Sequence, residues 1–283
     1  MKKIAILGGT GFVGKMIANE LRNRGFQVVL WSRNPNKYNN LPFEVNKWPL
    51  DEGASYGDVE AIINLAGETI NQRWTRQAKQ RIRDSRVKTT QLLIQYIEKG
   101  VLQPKVLING SAIGYYGRDD EFLTLVSKDW EGAAELVIQM GVRLVIARLG
   151  VVLGTEEGAL PRMVLPYRLF IGGTVGSGEQ WVSWVHVQDV ANIIAFILEK
   201  QELQGAINIT APSPVQMKEF GRIVAKVTGR PHWLPVPSFA LKLLLGEMSK
   251  LILEGEKILP DKLEEVNYPF LYRDLESALR NLL

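Results

Sequence analysis

The chain has 283 residues, 46% hydrophobic and 23% charged, with a formal net charge of +4. That describes a globular protein with room for one large α/β domain or a nucleotide domain plus a small lobe. Cysteine is absent and only two histidines occur, His186 and His232, far apart in sequence. Disulfides, thiolate nucleophiles and thiolate metal sites are therefore excluded, and no metal is expected.

The basic residues are dispersed, which suits phosphate-bearing ligands rather than nucleic acid. Even the densest stretch, Arg73 to Lys88, has the helical spacing of a solvated face. No apolar run reaches transmembrane length and no signal-like segment precedes the first strand, so no membrane partner and a cytoplasmic location are expected. Oligomeric state leaves no mark on the sequence.

In chain order, Ile4-Ala5-Ile6-Leu7 reads as a buried strand. Gly8-Gly9-Thr10-Gly11-Phe12-Val13-Gly14 follows as a turn, and Lys15 to Arg24 as an amphipathic helix. A glycine-rich turn between strand and helix is the context in which GxGxxG binds a dinucleotide. Glycines permit positive φ and let backbone amides approach a pyrophosphate at the positive end of the helix.

The second apolar run, Gln27 to Trp31, ends at Ser32-Arg33-Asn34-Pro35, where the chain meets the adenosine ribose. An NAD protein places a carboxylate there, whereas an arginine accommodates a 2′-phosphate. Arg33 offers a permanently charged planar fork, with Ser32 and Lys37 nearby, so NADP(H) is the expected coenzyme. The alternative is that Arg33 is a solvated loop residue.

Ala61 to Leu65 is a third strand, ending in Ala66-Gly67-Glu68. A helix is predicted from about Thr75 to Gly100, then a strand over Lys105 to Asn109 leading to Gly110-Ser111-Ala112. A helix around Asp129 to Met140 precedes a buried strand, Arg143 to Arg148. This alternation predicts a parallel sheet with helices on both faces, with ligands beyond the carboxyl ends of the strands. Gly14, Arg33, Gly67 and Ser111 all follow strand ends and should converge on one cleft.

Beyond Gly150 the texture changes, with glycines at 172, 173, 176 and 178 and the aromatic Trp181-Val182-Ser183-Trp184. Val187 to Glu199 reads as a helix and Ala206 to Ile209 as a strand. The expected organisation is a nucleotide domain over 1–150, to which 185–210 returns. A small substrate lobe is built from 151–184 and 211–283.

Together these segments resemble an atypical extended short-chain dehydrogenase/reductase of the epimerase-like subfamily, within the NAD-dependent epimerase/dehydratase superfamily. The glycine motif at 8–14 carries the resemblance, with Asn64-Leu65-Ala66-Gly67, Arg73-Trp74-Thr75 and Asp84-Ser85-Arg86. So do Gly110 to Gly117, Asp129-Trp130-Glu131, Arg148 to Gly154, Gly176 to His186, and Val236 through Pro260. The resemblance implies a Rossmann-type doubly wound sheet with the family's C-terminal domain. It also implies NADP bound along Gly8, Thr10, Gly11, Phe12, Val13, Gly14, Ser32, Arg33, Leu65, Ala66, Gly67, Glu68, Arg86 and Ser111.

The usual chemistry of that superfamily pairs Tyr-x-x-x-Lys with an upstream serine. A phenol needs a nearby cation to act as a base at neutral pH. Ser111 matches the serine, but alignment on Asp129-Trp130-Glu131 puts Leu123 and Ser127 at the tyrosine and lysine positions. Lys128 is one residue off, a rotation of about 100° along a helix.

Tyr115 and Tyr116 remain as candidate proton donors beside Ser111, with Arg86 as the candidate activating cation. The alternative is that both rings only pack around the nicotinamide pocket. Ser111 is expected to hydrogen-bond a carbonyl oxygen. His186, with Asp189, more plausibly belongs to the start of a helix than to catalysis. Trp74, Trp181, Trp184, Arg73, Arg168 and Gln180 would line a pocket or pack in a core. The leading expectation is an NADP(H)-dependent oxidoreductase or epimerase acting on an anionic or polar small molecule, with Arg86 able to bind a carboxylate or phosphate, and the rival is a non-catalytic NADP(H)-binding sensor.

Overall fold

A computed structural model describes residues 2–51 and 58–283. In the first half of the chain lie strands β1 (Lys3–Leu7), β2 (Gln27–Ser32), β3 (Glu44–Lys47), β4 (Val59–Asn64), β5 (Val106–Ala112) and β6 (Arg143–Leu149). Helices α1 (Phe12–Asn23), α2 (Arg76–Glu98) and α3 (Phe122–Glu135) connect them. The second half holds β7 (Val151–Leu153), α4 (Leu160–Arg168), β8 (Trp181–Val182), β9 (Trp184–His186), α5 (Val187–Glu199) and β10 (Gly205–Ile209). It continues through β11 (Val215–Gln216), α6 (Met217–Thr228), α7 (Ser238–Leu245), α8 (Lys250–Leu253), α9 (Asp261–Glu265) and α10 (Leu275–Leu282).

The main sheet is seven-stranded in the order β10-β6-β5-β4-β1-β2-β3. Pairing is parallel between β1 and both of its neighbours, and in β2–β3 and β4–β5. This is the doubly wound order, in which strand succession reverses beside β1 and opens a crevice at the carboxyl ends. Near-continuous apolar strands follow from burial on both faces. Ala5, Ile6, Leu30, Ile62, Ile63, Leu107 and Ile108 are almost fully buried. Helix α1 meets the sheet through Gly14, Ile17, Ala18 and Leu21, the 3.6-residue period of one face.

Strand β3 was not among the predicted elements. It is a four-residue strand with partly buried and exposed residues at the sheet edge, and its Glu-Val-Asn-Lys sequence carries little hydrophobic signal. Helix α3 begins at Phe122, several residues before the expected Asp129, because Thr124 Oγ1 donates to the Gly114 carbonyl at 2.9 Å and anchors the first turn.

The chain divides into two compact units: 1–68, 81–148 and 190–207 in one, 69–80, 149–189 and 208–283 in the other. Residues 69–80 thus group with the second unit, where a first-domain position was expected. Each unit has its own core. The first gathers Ala5, Trp31, Leu93, Leu107, Val137 and Ile146, with Trp31 and Trp48 stacked at 5.6 Å. The second packs Val164, Trp184, Phe220 and Val224 with Leu275 and Leu279 of α10. Helix α10 is capped by Asp274, whose carboxylate accepts from the Ser277 amide at 2.9 Å, the usual N-cap arrangement. Among the described residues no helix is long and apolar enough to cross a membrane. None of their His, Asp or Glu side chains group to hold a metal.

Candidate functional site

The glycine turn is built for close approach of backbone to ligand. Gly8 has φ +81, and a Cβ there would stand 2.7 Å from the Leu65 carbonyl oxygen. That segment is held beside it because the Leu65 amide donates to the Leu7 carbonyl at 2.8 Å. A Cβ on Gly14 would fall 2.5 Å from the Gly8 oxygen and 2.6 Å from the Gly9 Cα, so only glycine lets α1 start this close to the turn. Gly11 caps α1 with no side-chain hydrogen bond, and no acidic side chain occupies its first turn. The positive end of the helix macrodipole is therefore not neutralised by the chain itself. These residues fit a dinucleotide pyrophosphate, with Thr10, Phe12 and Val13 partly buried around the turn.

At the end of β2 the Ser32 hydroxyl accepts from the Asn34 amide at 3.2 Å, fixing the loop. Arg33 is exposed.

The ends of β4 and β5 are tied by a buried polar cluster. Asn64 Nδ2 donates to the Thr90 hydroxyl at 2.9 Å and to Asn109 Oδ1 at 2.7 Å. The Trp130 indole N–H donates to the same Thr90 oxygen at 3.0 Å. Fully satisfied networks of this kind fix one arrangement of the elements they join. Here they fix the segments carrying Leu65, Ala66, Gly67 and Ser111. The Glu68 amide donates to the Ser85 hydroxyl at 2.8 Å, and the Glu68 carboxylate accepts from Arg81 at 3.0 Å.

Beyond β5 the chain assembles an arrangement the sequence did not announce. Ser111, 3% exposed, donates its hydroxyl proton to Glu131 Oε1 at 2.6 Å. Arg148, at the end of β6, donates from Nε to Oε1 at 2.9 Å and from Nη2 to Oε2 at 2.8 Å. Its Nη1 donates to the Tyr116 hydroxyl at 2.8 Å. The guanidinium also lies over the Tyr115 ring, 3.5 Å from its centroid. Burial alone would lower the Arg148 guanidinium, but the hydrogen bonds to Glu131 and Tyr116 outweigh it and hold the group above its ordinary value. One buried, bidentate ion pair thus joins the serine to both tyrosines.

Two expectations change here. The cation at the tyrosines is Arg148, not Arg86. The Ser111 proton is directed to Glu131 rather than toward a ligand carbonyl. Arg86 lies instead against Gly67, held by its Nη1 to the Ile82 and Glu68 carbonyls, both at 3.0 Å. Glu131 and Arg148 went unremarked in the sequence as chemical groups. The available signal was a charge, Arg148, directly after the apolar run Leu144 to Ala147 and a carboxylate on the buried face of α3.

On α3, Ser127 is buried and Lys128 is turned outward into an ion pair with Asp119. The Lys128 ammonium also lies 5.8 Å from the centroid of the Tyr115 ring.

In the second unit, His186 is structural. Its Nδ1 accepts from the Gln188 amide at 3.0 Å, its Nε2 meets Asn281 Oδ1 at 3.1 Å, and it stacks on Tyr272 at 3.9 Å. Burial pushes it down to about 4. Asp189 is the acidic residue in the first turn of α5, as expected, and its carboxylate also accepts from the Leu271 and Tyr272 amides at 2.8 and 2.9 Å, pinning the C-terminal segment. The Gln180 amide is spent on the Val175 and Ile252 carbonyls, and Trp184 is a fully buried core residue.

Residues 4–131 and 131–210 match the model of the NAD dependent epimerase/dehydratase family, and residues 236–282 match a domain of unknown function, DUF1731. The chain is 42% identical over 297 residues to Epimerase family protein YfhF of Bacillus subtilis (strain 168), covering 99% of this chain and 97% of that one. It is 37% identical over 298 residues to Epimerase family protein SAR0825 of Staphylococcus aureus (strain MRSA252), covering 100% and 99%. The crystal structure of human epimerase family protein SDR39U1 with NADPH superposes with a TM-score of 0.90 at 32% identity, covering 99% of this chain and 98% of that one. Glycine turn, strand order and sequence similarity along the chain agree: it belongs to the NAD dependent epimerase/dehydratase family.

Proposed function

We propose that the protein is an NADP(H)-dependent oxidoreductase or epimerase-like enzyme acting on a polar small molecule. The observation that carries the chemistry is the buried Glu131–Arg148 pair, which holds the Ser111 hydroxyl at one carboxylate oxygen and the Tyr116 phenol at the guanidinium. Gly8, Thr10, Gly11, Phe12, Val13 and Gly14 would hold the coenzyme pyrophosphate. Ser32 and Arg33 would hold the 2′-phosphate, and Leu65, Ala66, Gly67 and Glu68 would lie beside the ribose. The family description names NAD, but no carboxylate follows β2 here to accept from a ribose 2′-hydroxyl, and Arg33 stands there instead. The human relative solved with NADPH supports the same preference.

When bound, the coenzyme supplies or takes the hydride. Tyr116 delivers the proton to the substrate carbonyl oxygen, and Arg148 stabilises the negative charge left on the phenol oxygen. Ser111, its own proton committed to Glu131, accepts from a substrate hydroxyl and orients it. Tyr115 lies under the guanidinium and keeps its plane fixed.

A second reading, a coenzyme-binding sensor without turnover, is favoured by Leu123 and Ser127 at the usual tyrosine and lysine positions. Titration with NADPH and NADH, followed by coenzyme oxidation with a panel of carbonyl and nucleotide-sugar substrates, separates the two. The enzyme reading expects tighter NADPH than NADH binding, lost preference in Arg33→Ala, and turnover abolished in Ser111→Ala. Tight NADPH binding with no turnover across the panel supports the sensor.

A further inference from the structure

Arg86 stands out among the cations of the first unit. Several of the others meet a carboxylate directly: Arg148 has Glu131, Arg81 has Glu68, Arg83 has Asp129. Among the described residues no carboxylate lies within ion-pair distance of Arg86. The nearest acidic side chain it feels, Glu68, gives its oxygen to Arg81.

Only half of the Arg86 fork is used. Nη1 donates to the Ile82 and Glu68 carbonyls, which anchors the side chain on α2 and on the turn after β4. The guanidinium sits over the Trp130 ring, 5.3 Å from its centroid, and the same ring packs on Gly110 beside Ser111. It reaches this place because residue 67 has no side chain: a Cβ there would stand 2.7 Å from Cζ and 2.9 Å from Nη2. Gly67 is itself exposed. The Arg86 side chain is half-buried, and burial pushes this guanidinium down to about 10, still protonated at neutral pH, with Glu68 opposing the shift. The chain seats that charge on backbone carbonyls and an indole, with Glu68 acting on it only from beyond ion-pair distance.

We propose that the edge of Arg86 not spent on backbone carbonyls binds an oxyanion, a carboxylate or phosphate of the substrate. Carboxylate and phosphate oxygens match the planar donor fork and carry the opposite charge. The coenzyme phosphates have seats of their own at the glycine turn and at Arg33. Arg86 lies against Gly67, which follows β4, and against Trp130, whose ring packs on Gly110 of the neighbouring strand β5, the residue before Ser111. The inference rests on the coenzyme reading only in assigning the oxyanion to the substrate. It narrows the substrate class from polar to anionic.

The test is calorimetric titration of malonate, and separately of inorganic phosphate, into the protein with and without saturating NADPH. Saturable, salt-sensitive binding of at least one probe is expected. It should be weakened about tenfold or more in Arg86→Gln, where the charge is gone, and in Gly67→Ala, where the new Cβ displaces the guanidinium. Arg86→Lys keeps the charge without the fork and should fall between. The resemblance gives Arg86 to the coenzyme; here it is given to the substrate, so NADPH affinity in Arg86→Gln should stay within about threefold, and far-ultraviolet circular dichroism should match the parent. Three outcomes overturn the proposal: no saturable binding of either probe with or without NADPH, equal binding in Arg86→Gln, or NADPH affinity lost by the same factor. The last would assign the cation to the coenzyme. If the parent protein fails to bind NADPH the coenzyme reading falls by itself, and titration of coenzyme-free protein still decides this one.

Discussion

Replacing Glu131 with alanine takes from Arg148 both carboxylate contacts, at 2.9 and 2.8 Å, and leaves the guanidinium in a place where its side chain is only 10% exposed. Removing one partner of a buried pair strands the other charge, at a cost of about 3–5 kcal/mol. The Ser111 hydroxyl, 2.6 Å from the same carboxylate, loses its acceptor in the same step. Replacing both partners by apolar residues of similar volume, Glu131→Leu with Arg148→Met, removes the stranded charge. The double variant should therefore be more stable than Glu131→Ala. Urea unfolding followed by circular dichroism on the single and double variants gives both quantities from midpoints and slopes. A single-variant cost below about 1 kcal/mol, the range of solvated surface pairs, would refute the reasoning. So would a double variant no more stable than the single one.

Three further outcomes are expected. Gly14→Ala should weaken NADPH binding at least about tenfold and cost about 1–3 kcal/mol of stability, because its Cβ meets backbone at 2.5 Å; calorimetry and urea midpoints measure the two effects. For His186, the folded state holds the ring neutral down to about 4 while the unfolded chain protonates near 6.5. The unfolded state then binds more protons as pH falls through that window, so about 3 kcal/mol of stability is lost between those values. His186→Asn should flatten that part of the pH dependence of the urea midpoint, and a parallel slope in parent and variant would contradict the burial argument. Once a substrate is in hand, Tyr116→Phe should lower kcat by about 10²-fold or more. Tyr115→Phe, which keeps the ring under Arg148, should lower it much less; equal effects would remove Tyr116 from the proton-donor role.

The order of elements around the nucleotide turn was readable because it depends on local patterning. Apolar runs such as Ile4–Leu7 and Ala61–Leu65 need burial on both faces, and the helix after Gly11 repeats its apolar residues every third or fourth position. The resemblance to known reductases covered the remaining chain. What failed to show were features whose partners are distant in sequence. Arg148 lies 17 positions from Glu131 and 32 from Tyr116, and no spacing rule joins a strand end, a helix face and a short turn. Edge strand β3 escaped for a different reason: half-exposed and only four residues long, it leaves little hydrophobic trace.

By itself, the sequence determined that a strand, a glycine turn and a helix would offer main-chain amides to a dinucleotide, since the steric demands at Gly8 and Gly14 are met by residue type alone. Alignment on the family resemblance, at Asp129-Trp130-Glu131, put Leu123 and Ser127 where the customary tyrosine and lysine stand. Tertiary structure decided which cation serves which group, setting Arg148 against both tyrosines and seating Arg86 beside Gly67 on two backbone carbonyls. The physical reason is that charge pairing inside a protein depends on distance and burial, and both are set only when the ends of β4, β5 and β6 are brought side by side.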